Sequence, residues 1–388
     1  MGDALFRASR RELLAGSVLA AVPAAGATAQ PKGATRAQAG RAEAEAKALH
    51  AAQPTPALSL AVARPDGVAW TGAYGKADLE LDVAATPAHR FKLGSVSKVL
   101  TSTTAARLAA RRAVDLDAPI STWLKDLPEP HRQTTLKQLL THQGGVRHYI
   151  GRDADRDAPG GPLDFRLYPT NREILNTFIN DPLIGPPGAQ VAYSTFGYTL
   201  ASLVLEAAAG TPFPALVKAE IGETFGLPSL DADDPQALRP MRARGYGPVA
   251  DYKAGDPLVG EGWANARQTN PAYKWAGGGF VMTPSDLARF GAALLEGPVA
   301  RISGEERALL FTPLTAANRR SPPLGLGWRV DADPKGRRRW HHAGAQEGGR
   351  ASLVIYPDLS LSIALASNVA TTPGDVLGPS GRLADAFS

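Results

Sequence analysis

Hydrophobic and polar positions along the chain fall into two textures. Residues 57–63 and 67–74 are short β-type runs, and Arg64-Pro65-Asp66-Gly67 between them is a turn sequence, so together they predict a hairpin. Ahead of it, residues 37–50 are rich in Ala, Glu, Lys and Arg and predict a surface helix. From Ser95 to about Arg112 the pattern turns helical, with Val96, Val99, Leu100, Thr103 and Leu108 on one face. Helical pieces broken by Pro and Gly follow at 136–141, 173–180 and 194–209, the last stopping at Gly210. Thr283-Pro284-Ser285-Asp286 starts another helix, with an N-cap and a proline at its first position, which is expected to run to Glu296. In the last third, residues 325–330, 338–342, 351–356 and 359–367 alternate or run apolar, and Pro357-Asp358 turns the chain between the last two.

β-type segments at both ends with helices between them predict an α+β fold. One antiparallel sheet is built from both ends of the chain and flanked by helices, with a helical lobe inserted. The sheet lobe is expected from about 36–115 and 270–388, and the helical lobe from about 116–269. Catalytic groups from the two would meet in the cleft between them.

The first 29 residues carry a different signal. Ser9-Arg10-Arg11-Glu12-Leu13-Leu14 is a twin-arginine stretch followed by an apolar run, and Ala27-Thr28-Ala29 offers a small-x-small cleavage site before Gln30. The apolar run is shorter than the roughly 20 residues a membrane helix needs. The expectation is an exported, periplasmic protein with no stable membrane span once the signal is removed. No cysteine occurs, which excludes disulfides, thiolate catalysis and cysteine-bound metals. The net charge of +5 comes largely from scattered arginines such as Arg337, Arg338 and Arg339. No basic helix or aromatic-interleaved basic stripe accompanies it, which argues against a nucleic-acid partner.

Gly94-Ser95-Val96-Ser97-Lys98 sets a serine and a lysine three residues apart at a helix start, on one face and within reach of each other. The helix N-terminus favours a developing oxyanion, and a lysine desolvated in a cleft can take up the serine proton. Ser97 is a competing nucleophile, but on a helix it points roughly 100° away from Lys98. Tyr193-Ser194-Thr195 opens the helix behind Pro186-Pro187-Gly188, where a tyrosine beside a lysine cation can shuttle protons to a leaving group. His342-Ala343-Gly344-Ala345 lies on a glycine-lined strand that lets a substrate backbone approach closely. The Ala345 and Ser95 N–H groups are candidate halves of an oxyanion hole. His341 and His342 cannot easily bind one ion, because neighbours on a strand face opposite ways. His142 and His148 lack a third ligand in register. Asp153, Asp155 and Asp157 have the spacing of a calcium loop, but Ala158 stands where such a loop needs glycine. Neither a metal nor an organic cofactor is called for. A Gly-x-Ser-x-Gly nucleophile elbow is absent, which counts against an α/β-hydrolase.

Ser95-Val96-Ser97-Lys98, Tyr193-Ser194-Thr195 and His342-Ala343-Gly344, in that order, resemble the three signature motifs of serine β-lactamases and penicillin-binding proteins. Residues 139–145 (Leu-Leu-Thr-His-Gln-Gly-Gly) and 275–280 (Trp-Ala-Gly-Gly-Gly-Phe) resemble further segments of that family. The stretches 146–149, 193–200 and 273–280 look most like the mitochondrial serine β-lactamase-like proteins and their bacterial relatives. The resemblance covers about residues 36–370. It implies a β-lactamase/transpeptidase-like fold, with Ser95 as the acylated serine and Lys98 as the lysine sharing its proton. Tyr193 becomes general base or proton relay, and which of Lys98 and Tyr193 is the acylation base stays open. It further implies that Thr195, His342 and Gly344 line the substrate site and that the Ala345 N–H completes the oxyanion hole. Two departures bear on substrate. Thr195 replaces the usual asparagine, and His342-Ala343-Gly344 replaces the usual Lys-Thr-Gly that grips an antibiotic's carboxylate. His342 is expected to be mostly neutral at pH 7. The expectation is a serine hydrolase that takes esters or peptides, small-molecule or envelope-derived, ahead of β-lactams. A true β-lactamase or D,D-peptidase, and a non-catalytic peptidoglycan- or peptide-binding protein, are the alternatives.

Overall fold

The apolar runs at the two ends of the chain find each other in space. The computed structural model describes residues 33–155, 157, 161–251, 262–297, 300–314 and 323–388. The expected signal segment 1–29 lies outside them. Along the chain, α1 (Arg36–Ala52) leads into the hairpin β1 (Ala57–Arg64) and β2 (Gly67–Asp78), followed by the short β3 (Val83–Ala84) and β4 (Phe91–Lys92). Next come α2 (Ser97–Ala110), α3 (Glu129–Arg132), α4 (Leu136–Leu140), α5 (Asn171–Asn176), α6 (Thr195–Ala209) and α7 (Phe213–Val217). Three short strands, β5 (Asp231–Ala232), β6 (Tyr246–Pro248) and β7 (Trp263–Asn265), precede α8 (Trp275–Gly278), β8 (Phe280–Met282), α9 (Pro284–Ala293) and α10 (Gly304–Phe311). The chain closes with β9 (Arg329–Ala332), β10 (Arg338–Gln346), β11 (Gly349–Tyr356), β12 (Leu361–Ser367) and α11 (Leu377–Phe387).

The main sheet has the order β3-β2-β1-β12-β11-β10-β9 and is antiparallel throughout. β1 and β12, from opposite ends of the sequence, lie side by side at its centre, with Leu58 opposite Ser367 and Ala63 opposite Ser362. Alternation along these strands sorts side chains by size. Leu58, Leu60 and Val62 of β1 and Leu361, Ile363 and Leu365 of β12 pack with Ala42, Ala46 and Leu49 of α1 and Leu383, Ala384 and Phe387 of α11. The other face offers Ala57, Ala61, Ala63, Ala364 and Ala366 to the core that holds Leu287, Ala288 and Phe290 of α9. Small residues there let α9 approach the sheet, while the large ones fill the space beneath two helices. Both faces are therefore covered, and the central strands read as nearly continuous apolar runs.

Several boundaries differ from the sequence expectation. The helix starting at Thr283 ends at Ala293 rather than Glu296. The helix predicted from Ser95 begins at Ser97, and Gly94–Val96 ahead of it form a 3-10 turn. The segment 116–269 is not purely helical: it also contributes β5, which pairs with β8, and the β6–β7 pair. Residues 31–388 form a single compact unit. Among the described residues no single helix is long and apolar enough to cross a membrane.

Candidate active site

The Gly94–Val96 turn leaves Ser95 half-buried while α2 runs back into the core. Gly94 adopts a φ of +49°, which a residue with a Cβ rarely does. β10 crosses directly over this turn. A Cβ on Gly94 would lie 2.7 Å from the Ala345 nitrogen. A Cβ on Gly344 would overlap the Leu93 carbonyl oxygen and lie 2.5 Å from the Ser95 nitrogen and 2.8 Å from the Val96 nitrogen. Two glycines thus let strand and turn touch backbone to backbone, which brings the Ser95 and Ala345 amides close together. β9 pairs with β10 only over Arg338–His341, so among the described residues no strand pairs with the outer side of β10 beside Ser95.

One turn along α2, Lys98 is completely buried. Its Nζ donates to the Gly277 carbonyl oxygen (2.7 Å), to Thr195 Oγ1 (3.2 Å) and to Ser95 Oγ (3.3 Å). The Tyr193 hydroxyl donates to Ser95 Oγ at 2.7 Å, and Lys98 Nζ stands 4.8 Å from the centre of the Tyr193 ring. Burial pushes Lys98 below the ordinary lysine range, against the pull of Tyr193. Burial would raise the Tyr193 phenol, but the Lys98 cation and the hydrogen bond to Ser95 override it and hold the phenol below its ordinary value. Each ionisation depends on the other, so the pair titrates as a unit.

Ser97, the rival nucleophile, is fully buried, and its Oγ accepts from the Phe280 N–H at 3.2 Å. It fastens α2 to β8 and faces away from the cleft. His341 turns toward Asp331 (3.2 Å), and burial pushes its imidazole down to about 4. His342 lies on the opposite side of the strand with Nδ1 2.7 Å from the Ala343 carbonyl oxygen. Burial, reinforced by Arg329 and Lys98, holds it well below the ordinary histidine range, so it is neutral at pH 7. The expected acidic loop is tied up internally. Asp153 receives Arg147 Nη1 at 2.6 Å and the Ile150 N–H at 2.8 Å, and Asp155 receives the Asp157 N–H. Among the described residues no group of three His, Asp or Glu side chains is placed to hold a metal.

The structure adds partners that sequence reasoning did not single out. The Gly277 carbonyl is a backbone atom with no side-chain signature, yet it makes the shortest bond to Lys98. The Arg329 guanidinium, on β9 opposite His341, works against protonation of Lys98, His142 and His342 and favours the Tyr193 phenolate. His142 and His148 meet Tyr193 from two sides, with ring centres 4.4 Å and 5.3 Å away.

The chain is similar to several known proteins. The mitochondrial serine beta-lactamase-like protein LACTB of Homo sapiens is 26% identical over 303 residues, covering 62% of this chain and 54% of that protein. The chain thus spans about half the length of the mitochondrial relatives it matches. Esterase EstB of Burkholderia gladioli is 27% identical over 341 residues, covering 80% of this chain and 85% of that protein. Among solved structures, the D-amino acid amidase of Ochrobactrum anthropi SV3 superposes with a TM-score of 0.75 at 21% identity, over 90% of this chain and 98% of that one. The fold is thus of the β-lactamase/transpeptidase type, an antiparallel sheet with helices on both faces. The family model described as Beta-lactamase matches residues 42–386, a span that holds the Ser95 turn, Tyr193 and β10 together, and on that match the chain belongs to the beta-lactamase family.

Proposed function

We propose that the protein is a serine hydrolase that cleaves an ester or amide through an acyl-enzyme on Ser95. The observation that carries this reading is the single point where Ser95 Oγ meets Tyr193 (2.7 Å) and Lys98 (3.3 Å) beside the Ala345 amide. Lys98 Nζ has three oxygen partners, the number an ammonium can satisfy, and in this reading it is the cation of the pair. Tyr193, held below its ordinary value, is the proton acceptor once it has lost its own proton, and the hydrogen bond then runs from the Ser95 hydroxyl to the phenolate. In the first step the Ser95 Oγ–H proton passes to the Tyr193 phenolate as Oγ bonds to the substrate carbonyl carbon. The oxyanion settles on the Ser95 and Ala345 N–H groups. As the intermediate collapses, the leaving oxygen or nitrogen takes that proton from Tyr193 and departs as the alcohol or amine. Water then gives a proton to Tyr193 and attacks the acyl carbon, and as the second intermediate collapses Ser95 Oγ leaves and takes that proton from Tyr193, which frees the acid and restores the Ser95 hydroxyl.

A fluorophosphonate probe is expected to label the wild-type protein at one site and to leave Ser95→Ala unlabelled. Labelling that persists in the alanine variant would remove Ser95 as nucleophile. A wild-type protein that takes no label would favour the peptidoglycan- or peptide-binding reading.

Substrate preference follows from the third motif. His342 is neutral and Ala343 has no hydroxyl, so β10 lacks the cation and hydroxyl that grip a β-lactam carboxylate. The likeness to an esterase over most of both chains points the same way. Short-chain aryl esters are expected to turn over faster than penicillins or cephalosporins. Initial rates across a matched panel check this, and a cephalosporin rate above the ester rate would overturn it.

A further inference from the structure

Tyr193 is a loop residue, standing just before the N-cap of α6, and its phenol must be aimed to within a few tenths of an ångström of Ser95. The segment 142–148 does the aiming. The Ala192 N–H donates to the His142 carbonyl oxygen (2.8 Å), and the Ser194 N–H donates to Nδ1 of the same histidine (3.2 Å). His142 therefore grips the chain on both sides of Tyr193. The Thr195 N–H donates to His148 Nδ1 (3.3 Å), and Ser194 Oγ donates to the Arg147 carbonyl oxygen (2.7 Å) while accepting from the Gly197 N–H (2.9 Å). The His142 ring is tilted 39° against the phenol, and the His148 ring meets it edge-on at 86°.

We propose that His142 and His148 are positioning residues that clamp Tyr193 against Ser95, each with Nδ1 as a fixed acceptor for a backbone N–H at the start of α6. The clamp rests on Tyr193 as the proton-transfer group. Two observations support a role beyond simple capping of the helix. Ser194 Oγ already serves as the N-cap of α6, and His142 binds the N–H of Ser194 itself, which precedes the first residue of the helix. His142 also holds a φ of +59°, a backbone strain that persists at a non-glycine residue only where surroundings fix it.

Nδ1 can accept only while it carries no proton. Burial keeps His142 well below the ordinary histidine range, reinforced by Lys98 and Arg329. It also pushes His148 to about 4, where Lys98, Arg147 and Lys274 add to the effect and Asp153 opposes it. In both rings the neutral tautomer has its proton on Nε2. Arg147 anchors the base of the clamp through Asp153 (2.6 Å) and Asp181 (2.5 Å).

The test compares His142→Ala, His148→Ala, His142→Asn and His148→Asn for hydrolysis of an aryl ester. Asparagine places Oδ1 close to where Nδ1 stood and tolerates the positive φ at 142. The alanine variants are expected to lose on the order of 10²-fold in kcat with KM nearly unchanged, the scale of a misplaced catalytic group. Both asparagine variants are expected to recover most of that loss. Folded alanine variants with wild-type kcat would overturn the clamp, because a helix cap alone affects stability and not the chemical step. If the alanine variants do not fold, asparagine variants that fold but stay slow overturn it as well. Tyr193→Phe separates the two levels. A phenylalanine variant at the wild-type rate removes Tyr193 from the mechanism altogether, whereas a slow one beside fast histidine variants removes only the clamp.

Discussion

Lys98→Met is expected to slow acylation of Ser95 by about 10³-fold, inside the range that positioned proton transfer contributes. Methionine nearly matches the length of the lysine stem but brings no charge into a site with no exposure to water. The phenol of Tyr193 then loses the cation that offsets its burial, and its acidity falls. The pH at which acylation switches on should therefore rise in the variant, since the base must be deprotonated to act. Stability moves less than activity. Losing the ammonium leaves the Gly277 carbonyl without its donor, worth about 1–3 kcal/mol, while removing a buried charge offsets part of that. Stopped-flow release of p-nitrophenol across pH, together with a thermal melt, measures both. Acylation within a few-fold of wild type in a folded Lys98→Met protein would exclude Lys98 from the proton-transfer unit.

Gly344→Ala should be nearly as damaging by a different route. The added methyl has no flexible side chain to displace: it meets the Leu93 carbonyl and the Ser95 and Val96 nitrogens, all main-chain atoms. β10 must move away from the Ser95 turn, and the Ala345 amide moves with it. Loss of one oxyanion donor costs about 10²- to 10³-fold in kcat, and overpacking costs about 1–3 kcal/mol of stability. Ester kinetics and a denaturant titration read the two effects separately. A variant with wild-type kcat would show that the strand does not supply the oxyanion donor.

Much of this was legible in the order of residues, for reasons that differ from place to place. Ser95 and Lys98 are three apart, and the first turn places them on one side whether it is α-helical or 3-10, so the error in the helix start cost nothing at the site. The hairpins around 57–74 and 351–367 declare themselves through alternation and a proline turn. α11 does not, because Leu377–Phe387 contains one proline and two glycines, and it is held as a helix by packing against α1 and the sheet. β5, β6 and β7 have two or three residues each, too few for any period to show. From sequence the helix opening at Thr283 runs to Glu296, where Gly297-Pro298 is the stop signal, whereas in the structure it ends at Ala293. His142 and His148 were weighed as metal ligands. Their actual partners are backbone amides some fifty residues downstream, which only the folded chain brings to them.

The pairing of β1 with β12 has a bearing on when the proposed site can be assembled. Ser95 is made early, but the strand that closes over it, β10, stands on β11, and β11 on β12, whose other neighbour is β1. A nascent chain carrying Ser95, Lys98 and Tyr193 still lacks the platform that holds the Ala345 amide in place. Contacts this distant in sequence form slowly and late. The corner that pairs the Ser95 and Ala345 amides is therefore complete only once β12 has been made, and a chain that stops short of β12 has the serine without it.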